Sequence, residues 1–286
     1  MKTRLGILGC GYLGTAFLEN LRSRSQRNQL ENPIDETRLS TREKKLDIDP
    51  KTESLIHFDL FDLIDPHKKQ VLNTELERFL DLESLVILLP FSRRLKDPWD
   101  YVRMMKSVTE YIKKSPIKTV LFTSSTSIYP NKDEEICETS EIDHDSERAK
   151  CLYTVEKRIE DAVETSLICR IGGMVGKSRQ SLRNLAGGLI SAPNSPVNLI
   201  HLEDCAQILV DLIDTQSRSI CLNIVCDDHP SRRDYYTYVA KSFGKALPSF
   251  DESDHFMGKK IMNTRLKKIR KTDFLYPTPL GFFDDR

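Results

Sequence analysis

One segment near the start of the chain constrains the fold more than any other. Arg4-Leu5-Gly6-Ile7-Leu8 is typical of a short buried strand, and it runs directly into Gly9-Cys10-Gly11-Tyr12-Leu13-Gly14, a G-x-G-x-x-G motif. A helical pattern of apolar residues follows at once: Leu13, Ala16, Phe17 and Leu21. A strand, a glycine turn and a helix in this order predict a dinucleotide-binding site.

The three glycines of this motif have separate physical roles. Gly9 allows the tight turn out of the strand, Gly11 lets the backbone approach a pyrophosphate, and Gly14 lets the helix pack against the strand. The N–H groups at the start of the helix then face the anionic phosphates. The alternative is an ordinary glycine-rich turn between a strand and a helix.

The composition of the chain argues against several functional classes. Its 286 residues are enough for one large or two unequal domains, and 43 basic residues balance 43 acidic ones. This balance disfavours a nucleic-acid scaffold or a basic membrane binder. No apolar run is as long as a membrane span, and the first residues read as a strand rather than a signal peptide. We therefore expect a cytoplasmic protein with no nucleic-acid or membrane partner.

The cysteines and histidines show no metal-binding pattern. The seven cysteines form no C-x-x-C pair and mostly lie in apolar stretches, as expected of small buried side chains in a reducing compartment. The six histidines are scattered without ligand spacing. The sequence therefore predicts no structural metal.

The order of the later elements predicts an α/β fold. Apolar runs predict strands at residues 55–60, 85–90, 119–123, 167–171 and 219–225, and residues 37–41 are the candidate for a weakly marked second strand. Apolar stripes at helical spacing predict helices at 99–114 and 146–164, and a further helix from about 202 to 213. Strands that alternate with helices predict a doubly wound parallel Rossmann sheet.

Beyond residue 173 this alternation loosens. We therefore assign residues 1–172, with a strand and a helix that return at about 197–226, to a dinucleotide-binding Rossmann domain. Residues 173–196 and 227–286 form a smaller C-terminal part. Within it, Ser231-x-x-Asp234 predicts the capped start of a helix that runs to about Phe243.

Two polar residues, His201 and Asp204, lie at the predicted start of the helix that runs from about residue 202. Asp204 is expected to cap that helix, with its carboxylate accepting from free backbone N–H groups. His201 is interpreted as a core histidine, and the alternative is a place at the floor of a cleft. His201→Asn would distinguish the two roles by its effect on stability and on turnover.

The residue that follows the second strand bears on the cofactor. In a Rossmann unit, an acid at this position binds the ribose 2′-hydroxyl of NAD, whereas an arginine accommodates the 2′-phosphate of NADP. Here the positions read Thr41-Arg42-Glu43, so Arg42 favours NADP, while Glu43 keeps NAD open. The alternative is a charged surface loop with no role in binding.

Four segments together carry a resemblance to a known family. They are the glycine motif, Thr123–Tyr129, Arg170–Gly176 and Asn198–Asp204. In this order the chain resembles the short-chain dehydrogenase/reductase superfamily, on the extended side that includes sugar-nucleotide epimerases. Within it, Ser146-Glu147-Arg148-Ala149 and Asn263-Thr264-Arg265-Leu266 are similar to atypical, nucleoside-diphosphate-sugar epimerase-like members.

The resemblance implies a nicotinamide dinucleotide over the carboxyl edge of the sheet; the preference for NADP, with NAD also compatible, rests on Arg42 and Glu43 instead. It places the pyrophosphate at Gly9, Gly11, Tyr12, Leu13 and Gly14. It places the adenine beside Asp59 and Leu60, and the nicotinamide-side ribose beside Leu88, Leu89 and Pro90. The smaller C-terminal part would shape the substrate cleft. The chain departs from the family in carrying Pro130 where glycine is usual after the tyrosine.

The resemblance also implies a catalytic set. Tyr153 and Lys157 form a Y-x-x-x-K pair that shares one helix face. In the family the tyrosine is the general acid/base, the lysine holds the nicotinamide ribose, and a serine polarises the substrate carbonyl. Ser125 matches that serine. The alternative is to align the segment that starts at Ser146 with the atypical members. The tyrosine–lysine pair is then a chance match on a solvated helix edge.

Two functions follow as hypotheses. The first is an NAD(P)-dependent oxidoreductase or epimerase/dehydratase that acts on a small polar or sugar-nucleotide-like molecule. The second is a non-catalytic NADP(H)-binding protein that acts as a redox-state sensor or interaction module. Fold alone does not decide between them. A homodimer is compatible with either.

Overall fold

The computed structural model describes residues 3–42, 46–57, 59–65, 67–91, 95–176, 189–215, 218–270 and 272–284, without the side chains of residues 69–71. The helices in these ranges are α1 (Tyr12–Gln26), α2 (Lys69–Phe79), α3 (Trp99–Ile112), α4 (Glu147–Glu160), α5 (Leu202–Thr215), α6 (Arg232–Ser242) and α7 (Thr264–Ile269). The strands are β1 (Arg4–Leu8), β2 (Glu36–Thr41), β3 (Glu53–His57), β4 (Ser84–Ile87), β5 (Thr119–Ser125), β6 (Glu135–Ile136), β7 (Thr165–Ile171), β8 (Gly173–Val175), β9 (Leu189–Ile190), β10 (Leu199–His201), β11 (Ile220–Ile224), β12 (Ser249–Phe250) and β13 (Lys260–Ile261).

The chain divides into two compact units. The larger unit comprises Met1–Ile128, Asp143–Cys169 and Ala206–Cys221. The smaller unit comprises Tyr129–Ile142, Arg170–Cys205 and Leu222–Arg286. The polypeptide passes between the units several times, and two of the crossings fall within strands β7 and β11.

The central sheet has seven parallel strands in the order β11-β7-β5-β4-β1-β2-β3. Strand β1 pairs with β2 on one side, where Leu5 lies opposite Thr37, and with β4 on the other, where Leu5 lies opposite Ser84. The strand order therefore reverses between β1 and β4, which makes a topological switch point. The predicted doubly wound α/β sheet is confirmed.

The core of the larger unit explains why these segments form these elements. Helix α3 buries the predicted stripe of Tyr101, Met105, Val108 and Ile112, and α4 buries Leu152, Val155 and Ile159. Strands β4 and β5 are apolar on both faces because helices cover the sheet on both sides. Helix α4 begins where Ser146 Oγ accepts a hydrogen bond from the backbone N–H of Ala149, 3.3 Å away.

The smaller unit contains three short parallel strand pairs, β10 with β8, β12 with β9 and β13 with β6. Helix α6 begins as predicted, because Ser231 Oγ accepts from the N–H of Asp234 at 3.0 Å. Its buried residues Tyr235, Val239 and Ala240 pack with Val197 in a small cluster. In the parts of the chain that the structure describes, no helix has the length and apolar character needed to cross a membrane.

The predicted role of Asp204 is wrong. Asp204 is the third residue of α5 and is fully buried, and its carboxylate accepts from the backbone N–H groups of Leu275 and Tyr276 at 2.7 and 2.8 Å. It thus holds the C-terminal segment rather than the end of its own helix. His201 is 2% exposed, and its ring centre lies 3.8 Å from the ring centre of Tyr276, in agreement with a core position.

Candidate dinucleotide site

The glycine turn between β1 and α1 has the geometry that close approach of a ligand requires. Gly9 has φ +95°, a left-handed conformation that favours glycine. A Cβ atom on Gly14 would lie 2.8 Å from the carbonyl oxygen of Gly9, so a side chain there would force the helix away from the turn. A Cβ atom on Gly11 would meet no atom of the described residues within 4 Å. Of the three glycines in the turn, Gly11 is therefore the one with open space beside it among the described residues.

The turn is held in place by the second strand. Ser40 in β2 accepts from the N–H of Gly9 through Oγ at 3.1 Å, and its carbonyl oxygen accepts from the N–H of Cys10 at 2.7 Å. Burial raises the pKa of the Cys10 thiol to about 11, so this cysteine stays protonated. Ser40 was not predicted as a site residue, because only the register between β1 and β2 brings it to the turn.

The start of helix α1 is suited to an anion. Gly11 is the N-cap and offers no side-chain acceptor, and the first turn contains no acidic residue. Tyr12 is half-buried, whereas Leu13 and Gly14 are buried against the sheet. Backbone N–H groups and the positive end of the helix dipole thus face the open space at Gly11. These residues fit the pyrophosphate of a dinucleotide.

The ends of β2 and β3 bring together the residues predicted to meet the adenosine. Arg42 follows β2 directly, and its side chain is 72% exposed. Its Nη1 lies 3.8 Å from Oδ2 of Asp59, which follows β3. Asp59 also accepts from the N–H of Phe61 at 3.1 Å and so begins a short 3-10 turn, in which Leu60 is buried. The guanidinium of Arg42 is therefore available beside the end of β2.

The residues after β4 lie beside the glycine turn. Leu88 continues the ladder, because its N–H donates to the carbonyl oxygen of Leu8 at 2.9 Å, and a Cβ atom on Gly9 would lie 3.2 Å from the Leu88 carbonyl oxygen. Leu89 is half-buried, its carbonyl oxygen accepts from the Tyr101 hydroxyl at 3.0 Å, and Pro90 is exposed. The predicted pyrophosphate and nicotinamide-side residues therefore meet at the switch point.

The predicted catalytic residues lie on two elements of the larger unit. Ser125 ends β5, and its Oγ accepts from the N–H of Ser127 at 3.2 Å. Tyr153 is half-buried on α4, and Lys157 Nζ lies 5.3 Å from its ring centre. Lys157 is half exposed and donates to Glu160 at 2.5 Å, a hydrogen bond that raises the pKa of the lysine. In the described part of the larger unit, no hydrogen bond joins Ser125 to Tyr153 or Lys157.

Two further polar side chains of α4 reach the end of β5. Glu156 is 1% exposed, and its Oε1 accepts from the Ser124 hydroxyl at 2.5 Å. Arg148 Nε donates to Ser127 Oγ at 2.9 Å. Neither was predicted as a site residue. The sequence signal that could have revealed them was a charged residue on the face of α4 that packs against the core.

Among the described residues, no group of three or more His, Cys, Asp or Glu side chains could hold a metal ion.

The sheet order, the switch point and the glycine turn together define a Rossmann fold. The predicted Rossmann fold is confirmed at this level, because solved structures share it over nearly the whole chain. No protein-family model matches the chain.

Three individual proteins illustrate the likeness. Protein YeeZ of Escherichia coli K12 is 29% identical over 208 residues, which cover 72% of this chain and 76% of YeeZ. MoeE5, solved with UDP-glucose and NAD, has a TM-score of 0.73 at 14% identity, covering 98% of this chain and 97% of MoeE5. Human epimerase family protein SDR39U1, solved with NADPH, has a TM-score of 0.70 at 15% identity and covers 98% of both chains.

Proposed function

We propose that the chain is an NAD(P)-dependent oxidoreductase or epimerase/dehydratase. One observation carries the proposal: the turn from Gly9 to Gly14 offers open space at Gly11 in front of an uncapped helix start. Such a turn binds a pyrophosphate through backbone N–H groups, at the place where ligands of doubly wound sheets bind. The nicotinamide dinucleotides in the MoeE5 and SDR39U1 structures support the cofactor class.

NADP(H) is the cofactor that this site favours. Arg42 lies directly after β2 with an exposed guanidinium, and a guanidinium pairs well with a 2′-phosphate. Its contact with Asp59 spans 3.8 Å between two partly exposed groups, so this ion pair is weak and a phosphate could replace it. NADPH in the human protein is compatible with this preference, and NAD in MoeE5 shows that the fold also accepts the other cofactor.

Different residues of the larger unit would bind the cofactor and carry out the chemistry. Gly11 and the first turn of α1 would bind the pyrophosphate, and Leu88, Leu89 and Pro90 would border the ribose on the nicotinamide side. The bound nicotinamide would supply the hydride donor or acceptor. Ser125 would hold the reacting oxygen of the substrate, Tyr153 would move its proton, and Lys157 would orient the ribose.

The proposed function also includes a class of substrate. A small polar or sugar-nucleotide-like molecule is favoured, because MoeE5 binds UDP-glucose in the same fold. We propose that residues of the smaller unit contact it.

One observation favours the second candidate function, a non-catalytic NADP(H)-binding protein. Lys157 is engaged with Glu160, and Ser125 shares no hydrogen bond with Tyr153 in the described residues. If the pair on α4 is a chance match, the chain would bind the dinucleotide and report redox state to a partner without turnover.

Tyr153→Phe separates the two functions. A screen of aldehydes, ketones and sugar nucleotides, followed through the absorbance of the reduced nicotinamide, first establishes turnover by the unaltered protein. Loss of a general acid/base should then lower kcat by about a hundredfold or more, since such groups contribute about 10²- to 10⁴-fold. Tyr111→Phe, at a half-buried position of α3, is the matched control and should leave kcat unchanged.

Each result of this screen has a defined meaning. Turnover that survives Tyr153→Phe would show that Tyr153 is not the proton donor. Dinucleotide binding without turnover of any compound would favour the sensor or interaction module.

A further inference from the structure

Arg148 connects the segments that follow two neighbouring strands. It lies in the first turn of α4, and its Nε donates to Ser127 Oγ at 2.9 Å, two residues past the end of β5. Its Nη1 lies 3.4 Å from the carbonyl oxygen of Phe91, four residues past the end of β4. The guanidinium carbon lies 4.5 Å from the centre of the Phe91 ring. A hydroxyl, a carbonyl and an aromatic face therefore fix the plane of this side chain.

These contacts place Arg148 at the carboxyl edge of the sheet. Strands β4 and β5 are neighbours, and ligands of doubly wound sheets bind outside their carboxyl ends. Phe91 directly follows Leu89 and Pro90, and Ser127 follows Ser125 by two residues. Arg148 thus shares its surroundings with the residues that the proposed function assigns to the nicotinamide ribose and the reacting oxygen.

A second observation places the charge of Arg148 near the turn after β4. Burial raises the pKa of the Tyr101 hydroxyl, and the positive charge of Arg148 acts in the opposite direction. That hydroxyl donates to the carbonyl oxygen of Leu89 at 3.0 Å. Arg148 and Tyr101 thus contact the same segment after β4, Arg148 at the carbonyl oxygen of Phe91 and Tyr101 at that of Leu89.

Helix stability does not account for an arginine at this position. A cation in the first turn lies at the positive end of the helix dipole, which disfavours it by about 0.3–1 kcal/mol. The side chain also stays charged, because the guanidinium does not deprotonate in proteins. A residue that breaks a local preference at the edge where ligands bind indicates a role in binding.

We propose that Arg148 binds a carboxylate of the substrate, so that the substrate is an acid whose carboxylate lies near the reacting carbon. A planar guanidinium matches a planar carboxylate through two parallel hydrogen bonds, and its fixed plane sets the angle of approach. The inference rests on the proposed function, because it adds the substrate class to the same dinucleotide-dependent site.

The test uses two pairs of probes that differ mainly in a carboxylate. Protein saturated with NADPH is titrated with UDP-glucuronate and UDP-glucose, and separately with pyruvate and hydroxyacetone. In at least one pair, the unaltered protein should bind the acid about tenfold to a hundredfold more tightly than the neutral partner, as expected for a hydrogen bond to a charged group.

Variants then assign the preference to Arg148. Arg148→Gln should bind both members of that pair with equal affinity while its dissociation constant for NADPH stays within about twofold of the original value. Lys150→Gln removes a positive charge from an exposed position of the same helix and should keep the full preference. If Arg148→Gln does not fold, Arg148→Lys carries the test and should show an intermediate preference, because the charge remains while the planar fork is lost.

The outcomes separate this inference from the proposed function. Absence of NADPH binding by the unaltered protein would overturn the proposed function and the inference with it. NADPH binding without tighter binding of either acid, or a preference that survives in both Arg148 variants, would overturn the inference alone.

Discussion

At the scale of single residues, Arg42 is the side chain that we propose sets the choice between NADP(H) and NAD(H). It follows β2 directly, its guanidinium is exposed, and Asp59 is its partner at 3.8 Å. The same residue would be neutral towards NAD, which has no 2′-phosphate. The proposal therefore assigns cofactor selectivity to one replaceable side chain rather than to the sheet.

Arg42→Ala should weaken NADP(H) binding by about tenfold or more and leave NAD(H) binding nearly unchanged. The expected loss follows from the charge-assisted hydrogen bonds of an arginine–phosphate pair. Titration calorimetry with both cofactors measures it, and Arg27→Ala, at an exposed position after α1, is the control. Equal losses for the two cofactors would show that Arg42 does not read the 2′-phosphate.

At the scale of elements, packing and helix propensity favour different residues at the connection between β1 and α1. Alanine forms helices better than glycine by about 1 kcal/mol, so propensity alone predicts that a glycine within α1 weakens the helix. Gly14 is nevertheless required, because a Cβ atom there would lie 2.8 Å from the Gly9 carbonyl oxygen. The close approach of helix and turn takes precedence over the local preference of the helix.

Gly14→Ala should lower the free energy of unfolding by about 1–3 kcal/mol, the usual range for overpacking a tight contact. Urea unfolding at equilibrium measures the change. Ser25→Ala, at an exposed position of the same helix, is the control and should be neutral or slightly stabilising. An increase in stability for Gly14→Ala would mean that the helix can move away from the turn at little cost.

At the scale of the whole molecule, the features that the sequence predicts are those with a local pattern. Strand β1, the glycine turn, the apolar run that forms β4 and the stripe on α3 each depend on neighbouring residues, and each is present in the fold. The doubly wound sheet was also predicted, because strands that alternate with helices and right-handed crossovers leave few other topologies. Local patterns of this kind are therefore sufficient to predict the fold class.

The features that the sequence did not predict depend on residues far apart in the chain. Asp204 resembles a helix cap in sequence, yet it accepts from Leu275 and Tyr276 about seventy residues later. Ser40 reaches the glycine turn through the pairing of β1 with β2. Arg148 reaches Ser127 because α4 packs beside β5. Side-chain partners of this kind are set by tertiary packing, which no local pattern encodes.

The proposal on which the others depend is that the turn from Gly9 to Gly14 binds a nicotinamide dinucleotide. Titration calorimetry with NADPH tests it by comparing the unaltered protein with Gly11→Val. A valine at Gly11 would fill the open space that the pyrophosphate needs, and no described protein atom within 4 Å of its Cβ would be displaced. The account predicts saturable binding by the unaltered protein and none by Gly11→Val, with equal thermal stability of the two proteins in the absence of ligand. Gly281→Val makes the same substitution in the smaller unit and should bind as the unaltered protein does. No binding of NADPH or NADH by the unaltered protein, or unchanged binding by Gly11→Val, would contradict the account.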